Sequence, residues 1–115
     1  MTVFKFNIVD IIGSHTAISP SKAVILYNHF KNHLKSNVTI EYSFQGLQDC
    51  SSAFCNAFVG KIYMDFGQSV KNNISFVGLD NENQIWGEKV HRAIHLGIEE
   101  NYRNSSQQAL EEILS

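Results

Sequence analysis

Apolar and polar residues alternate with period two from Val3 to Val9, setting Val3, Lys5, Asn7 and Val9 opposite Phe4, Phe6 and Ile8. That pattern predicts a strand with one mostly apolar face. The same alternation returns over Val38 to Phe44, where Val38, Ile40, Tyr42 and Phe44 share one side, and a third strand fits Ile74 to Leu79. Between them the period changes. Ser19-Pro20 supplies an N-cap and a proline for the first helical position. Ala23, Leu26, Tyr27, Phe30 and Leu34 then recur at spacings of three and four, predicting an amphipathic helix over 20–35. Residues 52–66 are apolar nearly all round and stop at Gly67, which predicts a buried helix with Phe54, Phe58 and Ile62 on one inward line.

A polar turn at Asp80 to Asn83 leads to Trp86, Val90, Ala93, Ile94 and Ile98, the stripe of a helix over 85–102. Ser105 or Ser106 is positioned to cap a last short helix holding Leu110, Ile113 and Leu114, a C-terminal extension over 105–114. Strands separated by helices, without an internal repeat, predict an α/β fold. Its sheet is mixed and mostly parallel, with about four strands covered by helices. The 115 residues suit a single domain spanning 1–115, its core over about 3–102.

Composition narrows the function. A net charge of −2 and nine scattered Lys and Arg leave no basic stripe to neutralise phosphates, which argues against nucleic acid. No basic segment precedes an apolar run at the start and no stretch approaches a membrane span, so a cytoplasmic protein without a membrane partner is expected. Cys50 and Cys55 are then expected as two reduced thiols, and a spacing that straddles a helix start reads as poor geometry for a bridge. His29 and His33, like His91 and His95, stand at the i, i+4 spacing of helical metal ligands, but neither pair brackets a Glu. Both read as solvated helix faces, so no metal or other cofactor is implied.

The segment Phe44-Gln-Gly-Leu-Gln-Asp-Cys-Ser-Ser-Ala-Phe54 joins a strand to the buried helix and places hydroxyls at that helix's N-terminus. Unpaired N–H groups and the positive end of the helix dipole favour a phosphate on Ser51 or Ser52, or the simpler use of either serine as an N-cap. Cys50, beside the helix start, is the candidate nucleophile of a thiol enzyme, with His15 as its conceivable base.

Gly46-Leu47 followed by Cys50-Ser-Ser-Ala-Phe54, then Asn56-Ala-Phe-Val-Gly-Lys61 and Ile74-Ser-Phe-Val-Gly-Leu79, resembles STAS domains, the fold of bacterial anti-anti-sigma factors. The run is more similar still to an uncharacterised STAS-like family encoded beside histidine-kinase-like ATPases. The resemblance covers most of the chain, about Phe4 to Ile98. It implies a non-enzymatic module for signal transduction by partner switching, which docks such an ATPase through residues 46–56. In anti-anti-sigma factors the turn reads Asp-Ser-Ser-Gly-Leu and its first serine is phosphorylated. Aligned on the serines, Ser51 takes the phosphoacceptor place, with Ser52 next, and Cys50 replaces the aspartate. The implied partner contacts are Gly46, Asp49, Cys50, Ser51, Ser52 and Asn56. The alternative is a constitutive partner- or ligand-binding module, and less favoured is the Cys50-dependent enzyme.

Overall fold

The computed structural model describes residues 2–81 and 84–114. The chain runs β1 (Thr2–Asn7), α1 (Ile8–Ile12), β2 (Thr16–Ala17), α2 (Pro20–His33), β3 (Val38–Ser43), β4 (Asp49–Cys50) and α3 (Ser52–Cys55). A π-helical segment (Asn56–Gly60), α4 (Lys61–Phe66) and a 3₁₀ turn (Gly67–Asn72) follow, then β5 (Ile74–Val77), β6 (Asp80–Asn81), β7 (Gln84–Ile85) and α5 (Gly87–Leu114). This is an α/β fold. The main sheet is parallel with order β1-β3-β5, β2 and β4 form a second, parallel two-stranded sheet, and β6 and β7 pair antiparallel.

In a parallel sheet, paired residues point to the same side. Phe4, Ile40 and Ile74 therefore share a face with Phe6, Tyr42 and Phe76. Helices cover that face, and Ile40, Tyr42 and Phe44 are fully buried beneath them. The first strand ends at Asn7, earlier than its alternation predicts, because Ile8 begins α1 and turns into the core. Ser19 caps α2 by accepting from the Ser21 N–H at 3.2 Å, with Pro20 at the first position, and Ala23, Leu26 and Phe30 are buried.

The predicted helix over 52–66 exists as one continuous helical run whose middle is wound as a π segment. Its inward line is as expected: Phe54, Phe58 and Ile62 have no exposed surface. Gly67 ends the run with φ +70°.

Two expectations fail at helices. No separate helix is capped by Ser105 or Ser106, because α5 continues through both to Leu114. Nothing between Asn101 and Gln108 is Gly or Pro, and a lone serine hydroxyl does not interrupt a helix. Glu82 and Asn83, at the centre of the expected turn, lie outside the described residues.

The second failure concerns His29, which is half-buried. Its ring packs edge-on against Phe6 at 4.4 Å, stacks on His33 at 4.3 Å and shares a 2.9 Å hydrogen bond with the Tyr42 hydroxyl. His91 and His95 are exposed, as expected. Burial, and then the neighbouring His33, lower the His29 pKa from its ordinary 6.5. Its folded state therefore binds its proton less readily than its unfolded state, so the His29 contribution to stability is lost as pH falls below about 6.5. Accordingly, the stability deficit of His29→Gln relative to wild type should be largest near pH 7 and shrink towards pH 5 in urea titrations. A deficit that is constant with pH would contradict this.

Candidate functional site

The start of the 44–56 turn is anchored by two buried apolar side chains. Phe44 closes β3 against Phe76 and Trp86, and Leu47 is buried three residues on. Between them Gly46 holds φ +91°, a backbone state that side chains disfavour. His15 Nδ1 donates to the Gly46 carbonyl at 3.0 Å, and the Gln48 N–H donates to the His15 carbonyl at 2.6 Å. Asp49 and Cys50 then pair with Thr16 and Ala17, and the Ser51 N–H donates to the Ala17 carbonyl at 3.0 Å. The turn is thus clamped along the loop after α1.

Ser51 is the N-cap of α3. Its Oγ accepts from the Phe54 N–H at 3.0 Å and donates to the Ile18 carbonyl at 3.3 Å. The hydroxyl is half-buried and committed to both bonds. Ser52, one residue on, is exposed at the first helical position. Gly46, Asp49 and Asn56 are exposed as well, so four of the six predicted contact residues present surface.

Cys50 does not. Its side chain is fully buried, so it supports the turn from beneath and offers a partner no surface. The hydrogen bond with Cys55 and burial also push the Cys50 thiol up, away from the thiolate that a nucleophile requires. Cys50 thus has neither the exposure nor the thiolate character that a catalytic cysteine needs.

Both cysteines are free thiols, but the expectation that their spacing keeps them apart does not hold. The two sulfurs lie 3.5 Å from each other. Cys50 precedes the cap and Cys55 is the fourth helical residue, the two positions whose side chains meet when a chain enters a helix as a hydrophobic staple. The spacing of five signals this contact once Ser51 is recognised as the cap.

Pattern reading also missed an apolar groove of about 640 Å³ beside the turn. Asn56 and Ala57 lie at one end, Val24 and Tyr27 of α2 form one wall, Leu96 of α5 forms the other, and Gly60 and Gly97 lie between. Val24 and Leu96 remain about half exposed. At the rim the Tyr27 hydroxyl donates to Asp65, which also receives Lys61 at 3.2 Å, and burial followed by the Asp65 bond raises the Tyr27 pKa to about 12. Lys89 of α5 reaches back to donate to the Cys50 carbonyl at 2.8 Å, which brings a positive charge to the turn.

The main parallel sheet, its helical cover and the serine-capped turn between β4 and α3 define a STAS-like architecture. The chain belongs to the family described as STAS-like domain of unknown function (DUF4325), whose model matches residues 22–84, more than half of the chain and the whole of the candidate turn. The match is shorter than the span read from sequence. No curated protein and no solved structure matches the chain. Among the described residues no helix is long and apolar enough to cross a membrane.

Proposed function

We propose that this protein is a non-enzymatic regulatory module that docks a histidine-kinase-like ATPase through the 46–56 turn, with phosphorylation of Ser51 switching the contact. One observation carries the docking surface: the turn exposes Gly46, Asp49, Ser52 and Asn56, and the last of these also lines the apolar groove. A polar edge that fixes register beside an apolar trough that supplies burial is the composition of a protein-binding surface. The STAS-like family supports this reading, and the resemblance to anti-anti-sigma factors supplies the partner class.

A constitutive module is the second reading, favoured by the commitment of Ser51 Oγ to Phe54 and Ile18. A phosphate on Ser51 keeps an acceptor for the Phe54 N–H but turns the Ile18 contact from donor–acceptor into repulsion between oxygens. Ser52 requires no such rearrangement and is the second candidate.

Calorimetric titration of the ATPase with wild type, Ser51→Asp and Ser52→Asp tests both readings, with melting temperatures to verify folding. The switch predicts at least a tenfold loss of affinity, about 1.4 kcal/mol, for one Asp variant. Tight binding that neither Asp variant alters would leave the constitutive module. No binding by wild type would overturn the docking proposal.

A further inference from the structure

We propose that Cys50 and Cys55 form an oxidation site, at which a hydroperoxide converts the facing thiols into an intramolecular disulfide across the start of α3. The two sulfurs are 3.5 Å apart and need to close to about 2 Å, a movement within reach of side-chain rotation and a small shift of the first turn of the helical run. They are brought together by helix entry itself, with Ser51 capping the turn between them and Lys89 holding the Cys50 carbonyl. A thiol pair whose sulfurs already touch needs no large rearrangement to react.

The two sulfurs have different parts. The sulfurs share a hydrogen bond in which either thiol can donate; with Cys50 as donor, that bond, helped by the Lys89 charge, lowers the Cys55 pKa against the cost of burial. Asp49 acts in the opposite sense on Cys50. In that arrangement Cys55 is the attacking thiolate. Its sulfur takes one oxygen from the hydroperoxide as the O–O bond breaks; with hydrogen peroxide the leaving hydroxide takes up a proton and departs as water. Cys50 sulfur then attacks the sulfenic sulfur, the S–S bond forms, and the sulfenic oxygen leaves as a second water carrying the Cys50 proton. Two thiols are oxidised, one peroxide is reduced, and a reductant such as dithiothreitol reverses the bond. Both sulfurs are covered, so the reagent enters when the N-terminal turn of the helical run frays; its outer residues Ser52 and Ala53 already face solvent.

The bond is independent of the docking role proposed above, whereas any effect on docking rests on that role. The test needs no partner. Full-length protein is treated with hydrogen peroxide, quenched, alkylated under denaturing conditions and weighed intact. The expected product is a monomer that has lost two hydrogen atoms and both alkylatable thiols, and that regains both with dithiothreitol. Cys50→Ser should instead retain oxygen on Cys55 or form a covalent dimer. Since the decisive reading is on wild type, a variant that fails to fold does not affect it. Wild type that keeps both thiols, gains oxygen without losing hydrogen, or cross-links between chains would overturn the proposal.

Discussion

Phe58→Ala is expected to lower the free energy of unfolding by about 3–5 kcal/mol, a large part of the 5–15 kcal/mol typical of a whole domain. Phe58 has no exposed surface, and its ring meets Tyr42 of β3 edge-on at 5.3 Å, Phe76 of β5 at 6.3 Å and Phe54 at 6.2 Å. It is the point where two strands of the main sheet contact the π segment. Removing the ring forfeits its transfer energy and leaves a hole that three other aromatic rings cannot fill without leaving their rotamers. Phe58→Leu keeps most of the volume and should cost only about 1 kcal/mol. Urea unfolding followed by circular dichroism measures both, and an alanine variant within 1 kcal/mol of wild type would show that Phe58 is not the centre of the core. The effect extends to the site. Phe54 and Phe58 are the buried side of the helical run whose first turn carries Ser51 and Ser52, so a loosened core should also loosen the turn.

What the sequence made legible is what local chemistry decides. The alternation at 38–44 needs only one buried face, Ser19-Pro20 only a helix start, and Gly67 only a helix end, and each was readable from a few adjacent residues. Phe54, Phe58 and Ile62 could be assigned inward because their i, i+4 spacing puts three large apolar side chains on one line of the helix. The remainder depends on partners distant in sequence. The strands β2 and β4 have two residues each and exist because they pair with each other across more than thirty residues. His29 has the spacing of an exposed helical histidine, and only the position of Phe6 and Tyr42 beside α2 draws it inward. The groove is a space between α2, the π segment and α5, so no single segment announces it. At the turn, the serines were legible as caps, but the burial of Cys50 and its contact with Cys55 followed from which of the two serines is the cap. The structure makes it Ser51.

The close approach of α5 to the π segment carries the other large effect. Gly97→Ala should destabilise the protein by about 1–3 kcal/mol, although alanine is the better helix former by about 1 kcal/mol. A Cβ at Gly97 would stand 2.4 Å from the Gly60 carbonyl oxygen and 2.9 Å from Tyr63 Cβ. The first of these is backbone inside a helical run and cannot rotate away, so α5 itself must shift. Gly60 shows the reciprocal constraint, since its own Cβ would meet the Ala93 carbonyl at 3.3 Å. Gly60, Ala93 and Gly97 thus form a seam of small residues that lets two helical segments approach closely, and both glycines also line the apolar groove. Overpacking the seam should therefore also weaken the docking proposed above. Ser105→Ala, in the exposed part of the same helix, separates packing from propensity and should be neutral or stabilising by a few tenths of a kcal/mol. Chemical denaturation of the two variants beside wild type reads the difference. If Gly97→Ala raised stability as Ser105→Ala does, helix propensity would outweigh the seam and the close crossing of α5 over Gly60 would be wrong.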